Sequence, residues 1–203
     1  MPEHQGRGVD GVGVARSKEA VTRFLHDLHR FERRLTHRAA SWESPWALQV
    51  LPAVESAAER TKLWWGAALA LAALGGASQR RAAVEGVASM LAAQLIANGV
   101  CKPLYERRRP PADMLPHNGA EERPDSSSFP SGHTAAAVGF TVSVAFTSPW
   151  VGAAAAVPAG MVAVQRVQAG AHYPSDVAAG AAIGVGSALL VRHAPRLLLR
   201  LLL

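Results

Sequence analysis

Apolar positions along this chain fall into two regimes. Up to about residue 60 they are scattered among charges, and beyond it they gather into long uncharged runs. From Lys18 to Arg38 they recur at Val21, Phe24, Leu25, Leu28, Phe31 and Leu35, the spacing of one helix face. Ser17 is placed to cap this helix, with Glu19 in its first turn. Arg23, Arg30, Arg33 and Arg34 fall on the opposite face. Such a helix suits either a membrane surface, with arginines toward anionic headgroups, or packing on its own chain. Before it, Met1 to Arg16 is glycine-rich with mixed charge and reads as a disordered tail. Trp42 to Arg60 carries Trp46, Leu48, Val50, Leu51 and Val54, but Pro52 and Glu55 interrupt it, so it reads as an interfacial or partly inserted segment.

The uncharged runs come next. Leu63 to Gln79 opens on Trp64 and Trp65, aromatics expected at a water–lipid boundary, and Arg80 and Arg81 close it. Ala82 to Cys101 is apolar apart from Glu85. Thr134 to Gln165 is interrupted by Ser148-Pro149, and proline disfavours helix at the residue before it, so this run predicts two helices joined by a tight turn. Val177 to Val191 is the last run. Each is near the lower end of the roughly 17–25 residues that cross hydrocarbon. The pattern predicts an all-α, integral-membrane helical bundle of five transmembrane helices, six if Trp42–Arg60 also crosses, with an N-terminal amphipathic helix. The expected organisation is a tail over 1–16, amphipathic and interfacial helices over 17–60, a membrane-embedded domain over 61–193 and a C-terminal tail over 194–203.

Composition adds little to this and excludes some alternatives. A mean hydropathy of +0.10 averages a polar N-terminal part with an apolar remainder of the 203 residues, a length that fits one domain. The net charge of +6 would suit nucleic acid, anionic lipid or a phosphorylated substrate. No basic stripe with interleaved aromatics is present, which argues against nucleic acid. The single Cys101 excludes an intramolecular disulfide, and its apolar neighbourhood predicts a buried thiol. The polar N-terminus has no apolar core of a signal peptide.

Three clusters sit at the edges of the uncharged runs. The first is Lys102, six residues, then Arg109-Pro110. The second is Pro130-Ser131-Gly132-His133. The third is Arg166, five residues, His172, three residues, Asp176. The first and second flank one polar connection, Lys102 to Pro130, and two crossings separate the second from the third, so all three return to one membrane face. Three cations and two histidines thereby converge. Guanidinium and ammonium groups neutralise phosphate oxygens, arginine in bidentate fashion. The Pro-Ser-Gly-His turn opens a helix whose free N–H groups and dipole favour an anion, and Gly132 allows close backbone approach. His172 and Asp176 are four apart. A carboxylate at that spacing can hold one imidazole nitrogen as N–H and leave the other free to attack phosphorus. His133 can then protonate the leaving alkoxide. Phosphoryl transfer is largely positioning and charge stabilisation, so three fixed cations can take the place of a metal. No His or carboxylate pair has zinc spacing, and no metal or cofactor is expected. His117 has no companion motif, and the remaining histidines are read as surface groups.

These residues closely resemble the three-part signature of the type 2 phosphatidic acid phosphatase superfamily, which also includes vanadium haloperoxidases. That signature is Lys-x6-Arg-Pro, Pro-Ser-Gly-His, then Ser-Arg-x5-His-x3-Asp, and the resemblance covers about Ser44 to Val191. It implies His172 as nucleophile, Asp176 as its partner and His133 as general acid. It further implies Lys102, Arg109, Arg166, Ser131 and Gly132 as holders of the phosphate. Gln165 stands where the family usually has serine, which predicts altered phosphate contacts with activity retained. The stretch from Ser44, including Leu63-Trp64-Trp65 and Ala171 to Asp176, also looks like the phosphatase half of actinobacterial fusions to a lipid-kinase-like domain, although no kinase half is expected here.

A site walled by membrane helices favours a substrate whose tail stays in lipid: phosphatidate, phosphatidylglycerol phosphate, or a polyprenyl phosphate or diphosphate. The expected partners are therefore this lipid and the bilayer itself. Two rivals have specific markers. A haloperoxidase would be soluble, against the uncharged runs. A non-catalytic lipid-binding or transport protein would be expected to lose His172, His133 or Asp176, and all are present. Counting cations near the spans gives eight on the motif side and five on the other, and excluding the three motif cations leaves five on each. Charge thus assigns no orientation. The resemblance implies a multi-pass protein of the plasma membrane with an outward-facing site.

Overall fold

The computed structural model describes residues 9–115 and 126–202. His117 and the first eight residues of the expected tail lie outside them. All regular structure among the described residues is helical: α1 (Val9–Ala40), α2 (Pro45–Ala58), α3 (Lys62–Leu74), α4 (Ala77–Leu104), α5 (Gly132–Thr147), α6 (Pro149–Gln168) and α7 (Pro174–Leu202). Short 3₁₀ turns occupy Glu59–Thr61 and Ala112–Met114.

Several boundaries differ from expectation. Helix α1 starts at Val9, inside the segment read as tail. No proline stands between Val9 and Arg16, and once a helix is nucleated each added residue gains a hydrogen bond. At the other end α7 runs through Pro195 to Leu202, because the leucines and arginines beyond it are strong helix formers. The expected C-terminal tail is therefore helical. Residues 45–58 are a regular helix with Pro45 in the first turn and Pro52 in the interior. The run Leu63 to Gln79 breaks at Gly75-Gly76. There the Gln79 side chain accepts from the Gly76 N–H at 3.1 Å, and Arg80 donates to the Ala72 carbonyl at 3.2 Å. Arg80 and Arg81 thus belong to the start of α4 and do not close the preceding helix.

Among the described residues three helices are long and apolar enough to cross a membrane: Ala77–Leu104, Pro149–Gln168 and Pro174–Arg196. The five expected crossings are not all met on that measure. With 13 and 16 residues, α3 and α5 span about 20 and 24 Å, short of the ~30 Å hydrocarbon core. Helix α5 can be short because it lies at the centre of the bundle against α4, α6 and α7, not against lipid. Its Ala135, Ala136, Ala137, Phe140 and Val144 are buried, and the core continues through Trp64 of α3 and Met90 of α4. Trp64 packs on Phe140 at 5.5 Å between ring centroids, so of the two expected boundary tryptophans only Trp65 is exposed. Small residues bring the backbones together. A Cβ on Gly180 would lie 2.4 Å from the Ser131 carbonyl, and one on Gly184 2.7 Å from that of Ala135. Alternation of small residues is how membrane helices pack closely.

Helix α1 packs on its own chain, but not through its apolar stripe. It packs on the bundle through Glu32, Thr36 and Ala40, all buried, whereas Val21, Phe24, Leu28 and Phe31 remain exposed. The apolar stripe is therefore not the packed one.

Candidate active site

Antiparallel alternation sets the ends of four helices side by side: the last turn of α4, the first of α5, the last of α6 and the first of α7. Backbone bonds tie these ends together. The Ser131 N–H donates to the Asp176 carbonyl at 2.9 Å, joining the second motif to the third. The Ser128 N–H donates to the Arg107 carbonyl at 2.9 Å, and Arg107 N–H to Ser127 Oγ at 3.1 Å, closing the two arms of the polar connection. A π-helical turn over Leu95–Cys101 precedes Lys102, an irregularity common at functional sites. Cys101 in that turn is half-buried. Gly170, at φ 60°, lets α6 reverse into α7 within five residues, Ala169 to Tyr173, the kind of left-handed position that glycine adopts without cost.

His172 sits in that reversal and is buried. Its Nδ1 lies 2.6 Å from the Ser128 carbonyl oxygen. A carbonyl can only accept, so Nδ1 carries the proton and Nε2 keeps its lone pair. Asp176 was expected to do this, but its Oδ2 is 3.8 Å from Nδ1, beyond hydrogen-bond range. The tautomer is set by the backbone and Asp176 adds only charge. Burial holds the imidazole below the usual histidine value, with Asp176 and the Ser128 carbonyl opposing that shift.

The Asp176 carboxylate is itself fully buried and occupied elsewhere. Oδ2 accepts from the Tyr173 N–H at 2.8 Å, and Oδ1 from Arg107 at 2.6 Å. Arg107 also donates to Ser175 Oγ at 2.7 Å and to Glu32 of α1 at 2.8 Å, and its guanidinium lies 4.5 Å over the Tyr173 ring. Glu32 accepts in turn from the Ser175 N–H at 3.1 Å. Burial works against the Arg107 charge, and Asp176 and Glu32 more than offset it. This five-residue network behind His172 was absent from the sequence reading. Arg107 stood in the basic run between Lys102 and Arg109, and no spacing rule singles out its partner 75 residues away on α1.

The expected phosphate holders are arranged unevenly. Lys102, in the last turn of α4, is half-buried and electrostatically close to Arg109. Arg109 donates to the Ala171 carbonyl at 2.8 Å and to Ser126 Oγ at 3.3 Å, bracing the turn that carries His172. Arg166 forms an ion pair with Glu55 of α2. Gln165, at the position of the expected serine, donates through Nε2 to the same Glu55, while its Oε1 accepts from Arg166 Nε at 2.8 Å. Gln165 thus orients Arg166 and holds Glu55 against it, a carboxylate missed because Glu55 was read only as an interruption of an apolar run.

His133 is the second residue of α5, half-buried, and within electrostatic reach of His172, Lys102, Arg109 and Glu59. Ser131 is the N-cap of α5. Its hydroxyl is 2.9 Å from Thr134 Oγ1 and accepts weakly from the Thr134 N–H at 3.4 Å, so the side chain is engaged within the fold. Gly132 was expected to admit phosphate. Its missing Cβ also makes room for Asn98, whose Oδ1 would lie 2.6 Å from that atom. Among the described residues no cluster of three or more His, Cys, Asp or Glu converges as a metal site.

The sequence matches the PAP2 superfamily over residues 83–199, which takes in all three motifs, α5 and α6, and most of α4 and α7. The chain belongs to the PAP2 superfamily. Two solved structures share this PAP2 fold. One is the first transmembrane PAP2 type phosphatidylglycerolphosphate phosphatase from Bacillus subtilis, at TM-score 0.61 and 22% identity over 84% of this chain and 87% of that one. The other is Aquifex aeolicus LpxE, at TM-score 0.53 and 18% identity over 78% of this chain and 92% of that one. No curated protein sequence matches the chain.

Proposed function

We propose that the chain is a membrane phosphatase that hydrolyses a lipid phosphate monoester or diphosphate through a phosphohistidine on His172. The observation that carries this reading is the Ser128 carbonyl on Nδ1, which leaves Nε2 as the nucleophilic nitrogen. Membership of the PAP2 superfamily and the phosphatase fold neighbour support the reaction class.

In the first step the Nε2 lone pair forms the N–P bond as the P–O bond to the lipid alkoxide breaks, and His133 delivers a proton to the departing oxygen. In the second step water attacks the phosphohistidine, His133 takes the proton, and inorganic phosphate leaves with His172 restored. Lys102, Arg109 and Arg166 neutralise the oxygens around phosphorus, and the N-terminus of α5 adds its dipole. Asp176 stabilises the positive charge that the imidazole acquires on attack. The cations carry the charge stabilisation that a metal would supply, so the reaction runs without one. Phosphatidate, phosphatidylglycerol phosphate and polyprenyl phosphates all present the required headgroup on a membrane-retained tail. The family resemblance supports a site that faces outward from the plasma membrane.

Release of inorganic phosphate from these lipids in detergent micelles with EDTA tests the proposal. Wild type is expected to be active in chelator, and His172→Ala to fall to near background while retaining its thermal unfolding profile. Full activity in His172→Ala would end the nucleophile assignment.

A further inference from the structure

At the end of the bundle opposite the three motifs, a cavity of about 720 Å³ opens between the start of α4, the end of α5 and the far part of α7. Arg81, Arg192, His193 and Arg196 line it, together with Ala77 and Ser78 of the first turn of α4. Among the described lining residues Glu85 is the one carboxylate, and it is already committed. It accepts from Arg81 at 2.7 Å and from Thr147 Oγ1 at 3.3 Å. Arg192 lies 4.5 Å over the Phe146 ring, which fixes its guanidinium at the cavity wall. Glu85 balances Arg81, so Arg192 and Arg196 are left as excess positive charge beside the N-terminus of α4, where the first N–H groups have no acceptor within the helix. That is a site for an oxyanion.

The surroundings indicate where the anion comes from. Asp176 and Arg192 stand sixteen residues apart on α7, about 24 Å along the axis, so the cavity lies far from His172. The same end carries Leu74 at the α3–α4 turn and Trp150 at the start of α6, 90% and 88% exposed. Exposed tryptophan at a helix end marks the membrane–water boundary, which sets the cavity at headgroup depth. We propose that this cavity binds the phosphate of an anionic phospholipid from the leaflet opposite the motif end, as a lipid site separate from the phosphatase centre. The inference does not depend on the proposed reaction.

Delipidated full-length protein in mild detergent, titrated with phosphatidylglycerol or phosphatidylcholine and followed by native mass spectrometry, tests this. Binding at the motif end is common to all variants, so the difference between variants reports on the cavity. Wild type should retain phosphatidylglycerol in preference to phosphatidylcholine. Arg192→Gln/Arg196→Gln should bind phosphatidylglycerol about thirtyfold more weakly, the loss expected for two cations near a membrane surface. Arg192→Lys, which keeps the charge, should bind nearly as wild type. An unaltered thermal midpoint without lipid shows that the double variant is folded, and if it is not folded, Arg192→Gln alone makes the same comparison at a smaller loss. Equal retention by wild type and variant would overturn the proposal. So would equal retention of the two lipids, or displacement by millimolar inorganic phosphate as effective as by lipid.

Discussion

Two glutamates reach the motif end from the N-terminal helices, and they are held very differently. Glu32 of α1 is 4% exposed and accepts from both Arg107 and the Ser175 N–H, behind His172. Glu55 of α2 has a side chain 30% exposed and sits on Arg166 and Gln165, among the expected phosphate holders. The first is a fixed support: it is buried, and Arg107, which donates to it, is also tied to Asp176 and Ser175. The second occupies the Arg166 guanidinium, so under the proposed function Glu55 gives way when a phosphate enters. A carboxylate can thus complete an active site from behind or fill it from in front, and burial with the number of donors distinguishes the two.

Three substitutions separate these roles. Arg166→Ala should have the largest effect, lowering kcat/KM by about 10²–10³, the range for loss of one charge-stabilising donor, with thermal unfolding little changed. An unchanged rate would remove Arg166 from the site. Glu32→Ala should act mainly on stability, by about 1–3 kcal/mol, since it leaves Arg107 and the Ser175 N–H short of an acceptor. Denaturation in detergent with parallel kcat measurement checks this, and a stability equal to wild type would contradict the support role. Glu55→Gln should have the smallest effect and the opposite sign. Freed of a competing charge, Arg166 should bind inorganic phosphate, read as product inhibition, about two- to fivefold more tightly, the scale of a partly exposed ion pair. Weaker inhibition would instead make Glu55 part of the binding site.

The two glutamates also mark where sequence reading stopped. The helix pair around Ser148 and the return of three motifs to one end follow from charge gaps and turn residues, all local signals. The partners of Arg107 and Arg166 lie on α1 and α2, at separations that no periodicity encodes. The same holds for His172: a carboxylate four residues on was the natural partner, yet the imidazole is held by the Ser128 carbonyl, which any residue at that position would supply. Helix length is a separate matter: uncharged runs give five crossings, and α3 and α5, bounded by Gly75-Gly76 and by the Ser131 cap, are the shorter members of the bundle, α5 being enclosed by its neighbours.

The central claim is that the Nε2 atom of His172 becomes bonded to phosphorus. Rapid mixing of the enzyme with a lipid substrate labelled in its phosphate, followed by alkaline quench and peptide mapping, tests it directly. The account predicts acid-labile, base-stable phosphate on the peptide bearing His172, linked through Nε2 and lost in His172→Ala. Turnover with no protein-bound label at any quench time, or label on His133, would contradict it.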